Sequence, residues 1–284
     1  MIYVSSSCIK TNRIDKAVDQ LAGMGFRCIE LSGGTQPYER LEQDLLELKQ
    51  KYGLHYLCHN YFPPPSTPFL VNLATLDEHT ARLTEEHIKK AIDLSVSLGA
   101  EKYGFHAGYF LNIPVNELGK EISATALFNI PEATAAFCSR LKKVQEYAIQ
   151  KNIHAYVENN VLAGFNLKNF NGINPFLMTS IEGYHDLRSK ITFTPLLDVA
   201  HLKVSCCSLN LDFAVELAAF MELTDYIHVS DNDGLADSNG GLKKDSELRR
   251  LLSGHNLKEK TITLEVYTGE KDLRESYEVL NQLV

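Results

Sequence analysis

The chain has 284 residues, 44% hydrophobic and 23% charged, and a formal net charge of −8. This composition is typical of a globular domain, and the acidic balance weighs against a large nucleic-acid surface, which usually presents a basic face. No apolar run reaches the roughly 18 residues of a membrane span, and the first residues are too polar for a signal peptide, so we expect no membrane contact.

Eight short apolar runs recur from one end of the chain to the other. They are rich in β-branched and aromatic residues and do not alternate strictly with polar residues, as is typical of parallel strands covered on both faces. The predicted strands cover residues 2–6, 28–31, 56–59, 102–106, 154–158, 193–198, 226–230 and 261–266.

Amphipathic segments with a 3.6-residue apolar period lie between these runs and predict helices. The clear ones cover residues 13–24, 41–52, 77–98, 131–150, 211–222 and 272–283, and the weaker ones 174–189 and 245–252. Repeated strand–helix units imply right-handed crossovers and a parallel sheet. Eight of them predict an α/β fold with a single (β/α)8 TIM barrel over residues 1–284, with a doubly wound open sheet as the alternative.

The six cysteines form no Cys-x-x-Cys pair, and several lie in apolar strand-like runs. A reduced cysteine in such a run behaves as a small hydrophobic residue. We therefore expect structural thiols and a reducing, cytoplasmic location.

Two long loops are predicted on the face where the strands end. Residues 60–74, with four prolines, follow the third strand, and residues 231–244 follow the seventh. Barrels of this kind keep their active sites on that face.

A carboxylate or an imidazole stands at or near the end of each of the last six strands. These residues are His59, His106, Glu158, Asp198, His228 and Glu265. Burying unpaired charges is costly, and a divalent cation removes that cost by pairing with the carboxylates. Histidine with aspartate and glutamate suits Zn²⁺ or Mn²⁺, so the sequence predicts a metal at the C-terminal mouth of the barrel.

The strings around these residues resemble those of the xylose-isomerase-like TIM-barrel superfamily, which includes sugar isomerases, sugar epimerases and endonuclease IV-type nucleases. The matching strings are CHNYF and LVNLA within 58–74, FHAG at 105–108, VENN at 157–160, LDVAH at 197–201, HVSDNDG at 228–234 and LEVY at 264–267.

The resemblance implies a metal site and a chemistry. The metal ligands would be Glu158, Asp198, His228 and Glu265, and the two glutamates would also act as the acid/base pair. The predicted substrate contacts are His59, His106, His201, Tyr61 and Asn160. Together they predict an isomerase or epimerase of a small sugar or sugar phosphate, working by proton transfer through a metal-stabilised enediolate.

The nuclease branch leaves an alternative open. Its second metal would be held by His59, His106 and Glu158. Its third would need His201 with an Asp-x-His, but this chain reads Asp237-Ser238-Asn239 there, and asparagine is a far poorer zinc ligand than histidine. An abasic-site nuclease and a non-catalytic metal-binding barrel are therefore the alternatives, nucleic acid is an unlikely partner, and a homodimer is considered.

Two further acidic residues have open roles. Asp231 is a candidate for holding the second ring nitrogen of His228, with a role within its own loop as the alternative. Glu30, near the end of the second strand, is a candidate polar lining residue.

Overall fold

The computed structural model describes all 284 residues. Eight parallel strands form a closed barrel in sequence order, which confirms the predicted TIM-barrel architecture and rules out the open sheet. The strands are β1 (Ile2–Ser5), β2 (Cys28–Leu31), β3 (His55–His59), β4 (Lys102–His106), β5 (His154–Glu158), β6 (Thr194–Asp198), β7 (Tyr226–Val229) and β8 (Thr261–Leu264).

Ten α-helices accompany the strands. They are α1 (Ile14–Gly23), α2 (Leu41–Tyr52), α3 (Glu78–Leu98), α4 (Ile130–Gln150), α5 (Gly164–Asn169), α6 (Ile181–Lys190), α7 (Val199–Leu209), α8 (Phe213–Met221), α9 (Glu247–Leu252) and α10 (Glu270–Asn281). None of them combines the length and the apolarity that a membrane crossing requires.

Two helices were missed and one begins later than predicted. Helix α7 is buried on most of its surface, so it lacks the one-sided apolar stripe that marks an amphipathic helix. Helix α5 has only six residues. Helix α6 begins at Ile181 rather than near residue 174, because Ser180 caps it through a hydrogen bond from the Gly183 amide.

The barrel interior is layered along the strands. Side chains two residues apart on a strand point to the same face, and one layer is apolar, with Tyr3, Leu57, Tyr156, Leu196 and Tyr226 in a single cluster. The residues two positions further along β3, β5, β6 and β7 are His59, Glu158, Asp198 and His228. The strand period therefore stacks a polar layer directly on the apolar one, toward the C-terminal mouth.

Gly104 in β4 lies where the two layers meet. A Cβ atom at this position would come within 2.6 Å of Leu196 Cδ1 and 3.2 Å of His59 Cδ2. The absence of a side chain at Gly104 therefore lets one residue of each layer pack against β4.

Candidate functional site

The predicted metal ligands from β5, β6 and β7 converge in the polar layer. The candidate ligand atoms of Glu158, Asp198 and His228 lie within 4.8 Å of one another. The Nδ1 atom of His228 is 3.3 Å from Glu158 Oε1 and 3.8 Å from Oε2 of Glu265, which follows β8. All four side chains are buried.

Three atoms of this cluster have no hydrogen-bond partner in the protein: Glu158 Oε1, Asp198 Oδ2 and His228 Nδ1. Buried polar atoms are almost always paired, and leaving a charged group unpaired is costly. Two acidic oxygens and an imidazole nitrogen are a donor set that suits Zn²⁺ or Mn²⁺. The buried cluster could therefore hold a metal ion.

Burial shifts the pKa values of the carboxyl groups in this cluster. Burial raises the pKa of Asp198 to about 6 and that of Glu265 to about 7. Burial acts in the same direction on Glu158, but His106 and His59 hold the pKa of that carboxyl well below its usual value. A cation beside these groups would favour the ionised form of all three.

Glu30 on β2 fixes the orientation of the His228 ring. The His228 Nε2 atom lies 3.2 Å from both carboxylate oxygens of Glu30, and the hydroxyls of Tyr226 and Thr263 also donate to that carboxylate. With Nε2 donating to Glu30, the neutral form of the ring would present the Nδ1 lone pair to the cluster.

The proposed role of Asp231 in holding His228 was wrong. Asp231 Oδ1 accepts from Lys203 Nζ at 2.7 Å and from the Asn232 backbone amide at 2.9 Å, both outside the barrel interior. The carboxylate that contacts the His228 ring nitrogen Nε2 is Glu30. The sequence signal was a single glutamate at the inward position of an otherwise apolar strand, CIEL.

His59 and His106 meet on the second oxygen of Glu158. His59 Nε2 lies 2.8 Å and His106 Nδ1 3.0 Å from Glu158 Oε2. His106, Glu158 and His201 form a separate group whose candidate ligand atoms lie within 4.8 Å of one another.

His201 is positioned by the start of α7. Asp198 caps this helix through a 2.7 Å bond from the His201 amide, and His201 Nδ1 is 3.0 Å from the Asn159 carbonyl oxygen. Its other ring nitrogen lies 3.3 Å from Asp237 Oδ2. Asn239 donates an amide hydrogen to the same Asp237 oxygen. At the place where the nuclease branch would need a metal-ligating histidine, this chain therefore has a hydrogen-bond donor to Asp237.

Tyr61 and Asn160 line a cavity that opens beside His106 and His201. The Tyr61 hydroxyl accepts from the Val71 amide at 3.1 Å, which ties the start of the 60–74 loop to its end. The side-chain amide nitrogen of Asn160 is occupied by the carbonyl oxygens of Ala107, Gly108 and Leu177. Both residues thus also hold loops in place around the cavity.

Solved structures with the same fold include several sugar epimerases. A D-tagatose 3-epimerase-like protein is 20% identical with a TM-score of 0.73, covering 99% of this chain and 96% of that one. An L-ribulose 3-epimerase is 14% identical with a TM-score of 0.65, covering 98% and 86%. The 3-keto-D-glucoside 4-epimerase from E. coli is 11% identical with a TM-score of 0.66, covering 99% and 98%.

The likeness to these structures is one of fold. Among curated proteins, no sequence matches the chain. The model of one family, the xylose isomerase-like TIM barrel, matches residues 18–283. Because that match spans nearly the whole length, the chain belongs to the xylose isomerase-like TIM-barrel family.

Proposed function

We propose that the protein is a divalent-metal-dependent isomerase or epimerase of a small sugar or sugar derivative. The observation that carries the proposal is the pair of carboxylates at the end of β5 and just after β8, Glu158 and Glu265, which lie 3.3 and 3.8 Å from the same His228 Nδ1 atom. Inverting a carbon by removing its proton from one face and returning one to the other uses two such groups beside one reacting centre. The sugar epimerases among the similar structures support a sugar substrate.

The ion, Mn²⁺ or Zn²⁺, would be held by Glu158, Asp198, His228 and Glu265. When bound, a divalent ion supplies Lewis-acid polarisation of a carbonyl group. A second ion at His59, His106 and Glu158 is part of the proposal as well, since both imidazoles lie within 3.0 Å of the same Glu158 oxygen.

The protein's own residues would carry the proton. One of Glu158 and Glu265 takes it from the carbon next to the carbonyl, and the other returns it to the opposite face, which inverts that carbon. His106 and His201 reach the cavity beside Glu158 and would hold substrate hydroxyl groups. Tyr61 and its loop would exclude water from the exchanging proton.

Proton exchange with solvent tests the proposal directly. The protein, loaded with Mn²⁺ or Zn²⁺, is incubated in D2O with a panel of ketoses, aldoses and glycosides that carry a ketone on the ring, and the products are followed by NMR. We expect deuterium at one carbon of at least one sugar, with a new epimer or isomer. Exchange should stop after chelation and return when the metal is restored. Tight metal binding without exchange on any sugar would favour the non-catalytic barrel.

The abasic-site nuclease is a second candidate because His59 and His106 are both placed at Glu158. The hydrogen bond from Asn239 to Asp237 opposes the three-metal form of that chemistry. Incubation of an abasic oligonucleotide with the Zn²⁺-loaded protein distinguishes the two candidates. We expect the strand to stay intact, and clean cleavage would reverse the order of the proposals.

A further inference from the structure

A cavity of about 170 Å³ continues from the polar layer toward the loops on the C-terminal face. His106, His201 and Asp237 form its polar part, and Asp237 Oδ1 is buried there without a hydrogen-bond partner. A sugar whose reacting carbon lies at Glu158 would have His106 and His201 beside it, because these two residues of the cavity wall lie 3.0 and 3.9 Å from that carboxylate.

The rest of the cavity wall is mainly apolar. It includes Ile113, Leu118, Ile122 and Phe176, which belong to a hydrophobic cluster separate from the main core. This cluster is built by loop residues after β4 together with residues near α5, so it lies over the mouth of the barrel. The chain thus folds a dedicated apolar chamber beside the candidate site.

The side-chain amide groups of two asparagines in this chamber already bind the protein's own backbone. Asn166 accepts from the Ile122 amide at 2.9 Å and donates to the Lys120 carbonyl oxygen at 3.1 Å, and the Asn160 amide nitrogen is held by three carbonyl oxygens. Sugar hydroxyls placed against this mainly apolar wall would lose their water and gain few partners in return, which is unfavourable. An apolar group would bury surface instead.

The cavity also offers few cationic groups for a phosphate. Lys120 is the only lysine or arginine that lines the cavity, and its ammonium group is exposed and donates to the Asn116 carbonyl oxygen at 3.1 Å. Phosphate sites usually combine several cationic or backbone N–H donors.

We propose that the apolar chamber binds an apolar substituent attached to the sugar, so that the substrate is a sugar derivative that carries both this substituent and a carbonyl group, rather than a free sugar or a sugar phosphate. This inference rests on the proposed function, because it assumes that the sugar sits at Glu158. The polar part of the cavity would hold the hydroxyl groups, and the chamber would hold the substituent.

Calorimetric titration with three probes on one scaffold tests the inference: D-glucose, phenyl β-D-glucoside and D-glucose 6-phosphate. We expect the phenyl glucoside to bind about tenfold more tightly than glucose, the gain from burying roughly 60 Å² of apolar surface. The phosphate should bind no more tightly than glucose. Equal affinities for glucose and its phenyl glucoside, tightest binding of the phosphate, or binding of none of the three would overturn the inference.

A matched pair of variants locates the effect. Leu118 lines the chamber, whereas Leu127 packs on the same cluster without lining the cavity, and both are half-buried. Leu118→Asn should remove the advantage of the phenyl glucoside, and Leu127→Asn should keep it. The ranking of probes on the unaltered protein decides the matter even if a variant fails to fold.

These measurements are separate from the exchange experiment. The acetal of the glucoside keeps the ring closed, so its titration reports binding alone. Absence of exchange with the ranking intact would count only against the proposed chemistry. Exchange on free sugars with the ranking reversed would count only against the apolar substituent.

Discussion

The two layers of the barrel interior lie two residues apart on each strand, yet they differ in whether their buried polar atoms have hydrogen-bond partners. In the apolar layer, the Tyr156 hydroxyl donates to Asp225 at 2.8 Å, and Tyr226 donates to Glu30. In the polar layer, Glu158 and Asp198 each keep a buried oxygen without a partner. Burial of polar groups therefore does not distinguish the two layers, whereas the presence of buried oxygens without a partner does.

The largest expected effect comes from changing Glu158 to Gln. This substitution keeps the shape of the side chain but removes a charge to which the proposed function gives two roles, in metal binding and in proton transfer. We expect the rate of solvent exchange to fall roughly 10³-fold, measured as deuterium incorporation by NMR with saturating metal.

Asp225→Asn is the matched control for that variant. Asp225 is an acidic residue whose partners are Tyr156 and Lys102, at the opposite end of the barrel strands. Its substitution should leave the exchange rate within about twofold, since surface ion pairs contribute little. Equal losses in the two variants would mean that the polar layer has no special role.

Leu196→Ala tests the apolar layer. Leu196 is fully buried and packs at Gly104, so truncation leaves a cavity and should lower the free energy of unfolding by roughly 3 kcal/mol. Metal affinity should change by less than about threefold, because Leu196 supplies no ligand atom and all four proposed ligands remain. Chemical denaturation and a chelator-competition titration measure the two quantities. A parallel loss of metal affinity would show that the layers are not independent.

The fold was predictable because each strand and most helices carry their own local pattern. The eight apolar runs gave the barrel, and the strand period placed Glu158, Asp198 and His228 on one face. Helix α7 escaped prediction because burial on several sides erases the amphipathic stripe.

The contacts within the site were less predictable. The sequence marks Asp231 and Glu30 only as acidic residues near strand ends, and which of them reaches His228 depends on the packing of β2 across the barrel from β7. The apolar chamber depends on how the long loop after β4 folds against α5. Neither relation is local in the chain, so no periodicity reports it.

Glu30→Gln changes the carboxylate that contacts Tyr226 of the apolar layer and His228 of the polar layer. Glutamine can still accept from His228 Nε2. It lacks the negative charge that favours the tautomer protonated on Nε2 and that strengthens Nδ1 as a metal ligand. We expect metal affinity to fall roughly 10- to 100-fold with little change in folding. Competition titration gives the affinity, and ¹⁵N NMR of His228 reports the tautomer.

Thr263→Val is the control for Glu30→Gln. It removes a 3.0 Å hydrogen bond to the same carboxylate and leaves the charge and the imidazole contact in place. Metal affinity should then change by less than about threefold. If Thr263→Val weakens the metal as much as Glu30→Gln does, general disturbance of the carboxylate explains both.

The smallest expected effect concerns His87 on α3, a polar residue that is buried outside the barrel interior but has a partner. Its Nε2 donates to the Asn60 carbonyl oxygen at 2.9 Å, and burial lowers the pKa of the imidazole. The folded protein therefore resists protonation of His87, whereas the unfolded chain protonates it near the ordinary pKa of about 6.5. This contribution to stability is present above that pH and is lost as the pH falls below it.

His87→Gln replaces the imidazole with an amide that can donate to the same oxygen but does not titrate. Between pH 7 and pH 5, the free energy of unfolding should fall more steeply for the unaltered protein than for the variant, by at most about 2 kcal/mol. Denaturation of both proteins in chelator removes differences in metal loading, and the histidines of the polar layer cancel in the comparison. Parallel curves would mean that the buried imidazole is protonated as readily in the folded protein as in the unfolded chain. In that case a buried, hydrogen-bonded histidine outside the site would contribute no more to the pH dependence of the free energy of unfolding than an exposed one.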